Sequence, residues 1–179
     1  MKKNLAIIFL SAIISLSLVG CGFTEGVKKG AEDANKKDNN NNKVAVETKK
    51  DIKKFNVDWA KCVEDTKKEL TNQNNFDFVK DVYIKVEDNK ITFTAALADA
   101  TNDKVALDFA DTMLRRFNAN AQLQDSSIKG GEKNYLGGLY DNYDISIGIA
   151  PLSKTNSQKD WYVFDAISKG VQREPKLQK

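Results

Sequence analysis

Between Gly22 and Lys50 the chain offers almost nothing to bury. Beyond Val27, Val44 and Val46 the stretch is mainly lysine, asparagine, acids and small residues, with Lys28-Lys29, Lys36-Lys37, the run Asn39 to Asn42, and Lys49-Lys50. Such a composition cannot offset the entropy lost on ordering it, so residues 21–50 are expected to be a disordered tether. A flexible coil of that length reaches roughly 30 Å. A core therefore has to be built after it. Residues 51–170, about 120 positions, are enough for one domain with one core. The remaining segment, 171–179, has Pro175 among lysines and reads as a flexible tail.

Four segments of 51–170 show periodicity. From Phe55 to Leu70 the apolar residues Phe55, Trp59, Val63 and Leu70 fall at helical spacing, with Ala60 and Cys62 alongside. Val82, Ile84 and Val86 alternate with Tyr83 and Lys85; Asp88-Asn89 makes a turn, and Ile91, Phe93, Ala95 and Leu97 return against Thr92 and Thr94. A second helix is expected from about Asn102 to Gln122, where Val105, Ala106, Phe109, Ala110, Met113, Leu114 and Phe117 form a stripe and Thr101 or Asn102 can cap. Tyr143 to Ile149 and Trp161 to Ile167 read as strands joined by the polar loop Leu152 to Lys159. The order is α-β-β-α-β-β. The expected fold is α+β: a single small domain with two helices on one face of a four-stranded antiparallel sheet, one sheet face being left open. Trp59 and Trp161, lying in regular elements, are expected in the core.

The N-terminus gives an address. Lys2 and Lys3 precede an apolar run from Leu5 to Val19, shorter than the twenty or so residues that span a bilayer, so residues 1–20 read as a cleaved signal peptide. The run ends in Leu18-Val19-Gly20-Cys21, which resembles the bacterial lipobox. That resemblance implies a diacylglyceryl thioether on Cys21, further acylation with a fatty acid such as palmitate, and a lipoprotein held at the extracytoplasmic face of the cell membrane. Two acyl chains are what stable retention requires. The segment from Val79 to about Phe117 resembles the small BON-type modules of envelope proteins: strand, Asp-Asn turn, strand, alanine-rich helix. The long polar loop of the second hairpin departs from that family's short pattern.

Composition narrows the chemistry. With no histidine, Ser-His-Asp and Cys-His catalysis and the usual zinc sites are excluded together. Taking Lys2 and Lys3 from the 28 basic residues leaves 26 against 25 acidic, a net charge of +1, which argues against nucleic acid as a partner. No cofactor or metal site is expected. The acidic groups Asp99-Asp103 and Asp141-Asp144 lack a calcium loop's alternation and read as caps and turns. With Cys21 committed to lipid, Cys62 is left either as a buried thiol or as the link of a disulfide dimer. Arg115-Arg116 read as the solvated side of the second helix, with Asp108 and Asp111 as ion-pair partners.

The loop from Asp125 to Asp141 carries Gly130-Gly131 and Gly137-Gly138 without the Gly-Lys-Ser/Thr ending of a phosphate loop. Tyr135, Tyr140 and Tyr143 cluster in and just after it and make it the candidate interaction loop. These features describe a membrane-anchored, non-catalytic binding or assembly module. It would meet an envelope protein or the cell wall through this loop and the open sheet face. Two further readings remain: a small-ligand receptor or carboxylate-based hydrolase, and an exclusion or immunity lipoprotein of a mobile element.

Overall fold

Helix α1, Trp59–Leu70, begins where the Asp58 carboxylate accepts the Lys61 N–H at 3.1 Å and closes with Lys67 and Lys68 in the last turn, favourable ends for the helix dipole. It buries Cys62, Thr66 and Leu70. Strands β1, Val79–Glu87, and β2, Lys90–Leu97, flank the two-residue Asp88-Asn89 turn and pair antiparallel. Helix α2, Asp103–Gln124, starts at Asn102, whose side chain accepts the Val105 N–H at 3.0 Å. Strands β3, Asp144–Pro151, and β4, Val163–Ile167, complete the chain's regular elements. The computed structural model describes residues 54–178. The expected signal peptide, the lipid site at Cys21 and the tether lie outside the described residues.

The order α1-β1-β2-α2-β3-β4 is the one the periodicity implies. The sheet is not. Its strands lie in the order β1-β2-β3-β4, and the central pair, β2 and β3, run parallel from Lys90 opposite Asp144 to Leu97 opposite Pro151. The expected all-antiparallel sheet is thus a mixed sheet of two hairpins joined through a parallel centre. The reason is the length of α2. Its 22 residues extend roughly 33 Å, enough to carry the chain back past β2 before β3 begins. A strand that starts where its predecessor started must run in the same direction.

Residues opposite one another share a face. Val86, Ile91, Ile145 and Ile167 form one cross-strand row, and Val82, Ala95, Ile149 and Val163 another, on the face that meets the helices. Phe93 reaches Phe117 of α2 with ring centroids 5.4 Å apart, Trp59 of α1 lies 6.2 Å from the same ring, and Phe76, Phe78 and Phe109 form an edge-to-face trio. Trp59 packs against the core as expected.

The segment after Gly170 corrects the reading of a flexible tail. Leu177 bridges to Val163, the Gln178 N–H donates to the Tyr162 carbonyl at 2.8 Å, and Pro175 is buried. The Arg173 guanidinium clasps Asp165 of β4 through two bonds of 2.6 and 2.9 Å. Composition concealed this, because the docking depends on one arginine and on backbone groups rather than on an apolar stripe.

Candidate interaction surface

The loop between α2 and β3 is fastened along its length. Asn118, fully buried on α2, donates to the Lys129 carbonyl at 3.0 Å and accepts the Leu139 N–H at 3.1 Å, stitching both ends of the loop to the helix. Gly137 sits against that amide at φ 137°, and a Cβ there would lie 2.1 Å from Asn118 Cγ. Only glycine meets both demands. Arg115 donates from Nη1 to the carbonyls of Glu132 at 2.6 Å and Tyr135 at 3.3 Å, and from Nη2 to that of Lys133 at 3.4 Å, while its Nε holds Asp111 at 2.6 Å. From the other side, Gln172 accepts the Leu136 N–H and donates to Asp141 at 2.8 Å.

The three candidate tyrosines part company here. Tyr140 is fully buried, and its hydroxyl donates to the Leu114 carbonyl at 2.6 Å. Tyr143 is buried between Phe55 and Trp59, with centroids 6.4 and 5.7 Å away. Burial pushes the pKa of both hydroxyls upward, holding them neutral. These two are core residues, a correction to the interaction loop: a residue that ends a turn and leads into a central strand is drawn inward by the strand. Tyr135 alone is partly exposed, and its hydroxyl donates to Asp141 at 2.5 Å. Burial and that carboxylate push its pKa upward too.

A groove of about 250 Å³ runs beside this loop, lined by Arg115, Lys133, Tyr135, Gln172, Arg173 and Glu174. Its two arginines look suited to an anion, yet both guanidinium groups are already occupied. Arg115 is committed as described, and Arg173 donates to Asp165, the Glu174 carbonyl and the Ala166 carbonyl. Arg116 and Asp108 do not join the Arg115 pair; Asp108 holds Lys104 at 2.6 Å and Arg116 lies 3.9 Å from Glu69. Among the described residues no three of Cys, Asp and Glu are placed to share a metal ion. Glu87 is held below the usual carboxylate range by its hydrogen bond from Lys85, and Asp99 by those from Ser153. At Asp165 burial pushes upward, but Arg173 and the N–H groups of Lys176 and Ala166 outweigh it, and the net direction is down. No helix among the described residues is long and apolar enough to cross a membrane.

Cys62 is fully buried, its sulfur 3.8 Å from the Phe117 carbonyl, and burial pushes the thiol up to about 12. While α1 stays packed, this thiol has no route to a second chain, so the Cys62-linked dimer is not available to the folded domain.

The other face of the sheet is different in kind. Tyr83, Thr94, Gly148 and Phe164 form a cross-strand row, flanked by the row Lys85, Thr92, Ser146 and Ala166. The first row crosses three strand spacings, about 14 Å. Tyr83 is 42% exposed and Phe164 47%. Trp161, expected in the core, instead lies on this face over Gly148: a Cβ at Gly148 would fall 2.4 Å from the Trp161 ring. It meets Phe164 edge-on at 5.8 Å and donates from Nε1 to the Lys154 carbonyl at 3.2 Å. The alternation in β1 already placed Tyr83 opposite Val82, Ile84 and Val86. What it could not show is that Trp161, outside any strand, folds back onto the same row. The result is an aromatic strip with the hydroxyl groups of Thr92, Thr94 and Ser146 in and beside it. Compared with family models, curated proteins and solved structures, the chain has no significant match.

Proposed function

We propose that this chain is a lipid-anchored lipoprotein of the extracytoplasmic membrane face, whose domain binds an envelope protein without catalysing a reaction. The diacylglyceryl group on Cys21 would hold it, and the polar tether would let the domain stand off from the bilayer. One observation carries the binding reading: Tyr83, Trp161 and Phe164 form an aromatic strip on the open sheet face. Large exposed aromatics with few charges between them are the composition of protein-interface centres. The glycine loop contributes less than its sequence suggests, because Arg115, Asn118 and Gln172 hold it down. The receptor or hydrolase reading gains nothing from the groove beside it, whose arginine donors are occupied.

The test is to present residues 45–179, with and without Trp161→Ala and Phe164→Ala together, to membrane and wall extracts. The reading expects an envelope protein retained by the parent and lost by the double variant, which keeps its fold by circular dichroism. Equal retention by both, no retention at all, or retention of wall glycan alone would each overturn it.

A further inference from the structure

We infer that Gln178, at the end of the docked C-terminal segment, is the residue that positions Trp161, so that the aromatic strip is complete only while that segment lies on β4. The inference rests on the reading of this strip as the binding surface and adds what controls it.

Trp161 covers the middle of the strip, yet no strand holds it. It follows the one-turn helix Gln158–Asp160 and precedes β4. Its own hydrogen bonds stay within its loop. The Trp161 N–H donates to the Gln158 carbonyl at 3.1 Å and the indole Nε1–H to that of Lys154 at 3.2 Å, while Ser157 and Asp160 close the turn through bonds of 2.8 and 2.6 Å. Bonds of that kind shape the loop and leave open where it sits on the sheet. The loop's ends are tied elsewhere. The Ser153 N–H donates to Asp99 at 2.9 Å, and Tyr162 donates to the Ile149 carbonyl from its N–H at 2.9 Å and to the Thr101 carbonyl from its hydroxyl at 2.7 Å. Between those ends, the turn carrying Gln158 is reached from outside by Gln178. Its side-chain amide donates to the Gln158 carbonyl at 3.0 Å, and its backbone N–H to the Tyr162 carbonyl at 2.8 Å. One residue thus grips the chain on both sides of Trp161.

Gln178 is itself fixed independently of the loop. The segment leading to it is held to β4 by the Arg173 clasp, by the Lys176 N–H on Asp165 and by the Leu177 bridge to Val163, with Pro175 buried. The side-chain amide contributes little to stability. Its Oε1 is buried with no hydrogen-bond partner among the described residues, and an unpaired buried acceptor costs at least as much as the Nε2 bond contributes. A methionine of similar length would avoid that cost. The effect of the donor is therefore local: it sets where the Gln158 turn, and with it the Trp161 ring, lies over Gly148. The strip then has two forms, closed with Gln178 bonded and open with the Gln158 turn released. A partner that needs Trp161 over Gly148 binds in proportion to the closed fraction. By linkage, a partner seated on the ring holds Gln178 in place to the same extent.

Fluorescence quenching of the full chain in detergent micelles tests this. Trp59→Phe leaves Trp161 as the sole tryptophan and keeps an aromatic ring against Phe117. In that background Gln178→Met should raise quenching of Trp161 by acrylamide while the urea midpoint stays that of the parent. A stop after Lys176 removes both Gln178 bonds and should raise the open-to-closed ratio about thirtyfold. Tyr140→Phe, which weakens the core elsewhere, should lower the urea midpoint and leave quenching unchanged, separating position from stability. Retention of the envelope protein should fall across these chains in step with the closed fraction. If Trp59→Phe does not fold, fluorine NMR of the chain labelled with fluorotryptophan resolves the two rings and reads the same change. Quenching unaltered by Gln178→Met and by the stop, quenching raised equally by Tyr140→Phe, or retention indifferent to an opened loop would each overturn the inference. A parent that retains no envelope protein overturns the binding reading instead, while the quenching series still decides whether Gln178 places Trp161.

Discussion

Replacing Arg173 by methionine removes the charge that docks the C-terminal segment while keeping most of the side chain's apolar stem. Arg173 donates to both oxygens of Asp165 and to two carbonyls, and the Lys176 N–H adds a third bond to the same carboxylate at 3.0 Å. The Asp165 side chain is 13% exposed and that of Arg173 29%, so the pair sits between the two regimes for which energies are known. Breaking a fully buried pair costs about 3–5 kcal/mol, whereas an exposed pair is worth under about 1 kcal/mol. We expect a loss of about 2 kcal/mol, or about 8 °C in Tm for a domain of this size. The signature lies in its pH dependence. Asp165 ionises lower in the folded state than its ordinary 3.8. Its contribution is therefore complete above pH 4 and is lost as pH falls through the depressed folded value. The gap between parent and variant, measured by urea denaturation with tryptophan emission, should be full at pH 7 and should shrink steadily below pH 4. A gap under about 0.5 kcal/mol at pH 7, or one that stays constant down to pH 2, would show that the clasp is not what holds the segment.

Other substitutions probe the loop, the core and the open face. Gly137→Ala demands a positive φ of a residue with a Cβ and drives that atom into Asn118; we expect a loss of more than about 2 kcal/mol by the same denaturation assay, and a Gly137→Ala chain as stable as the parent would refute the stitch. Tyr140→Phe keeps the buried ring and removes only the bond to Leu114, so about 1 kcal/mol should be lost. Cys62 should react with a thiol reagent only at the rate at which the domain opens, so that labelling accelerates with urea; rapid labelling of native protein at pH 8 would contradict its burial. Gly148→Ala should lift Trp161 from the sheet, changing the tryptophan emission while the far-ultraviolet dichroism stays the same.

Much of the fold was legible because each element carries its own periodicity. The helical stripe from Val105 to Phe117 and the alternation from Val82 to Leu97 identify α2, β1 and β2, and Asn102 marks the start of α2. The candidate site was less legible. Clustering three tyrosines in sequence said nothing about their direction. The backbone turns between Tyr135 and Tyr143, and only Tyr135 is left at the surface. Arg115 looked solvated because helical spacing predicts its neighbours on the helix but not the loop carbonyls that fold down onto it.

For the chain's first fifty residues the expectation rests on local residue order alone: the polar composition after Cys21 argues against a core, and the lipobox pattern supplies the expected address. Element order is local in the same sense. The parallel pairing of β2 with β3, the docking of residues 171–178 on β4, and the placement of Trp161 over Gly148 required the tertiary structure. Each joins groups that are neighbours only after the chain has closed. Periodicity reports which side of an element is apolar, and it holds no information about which other element that side, or that edge, will meet.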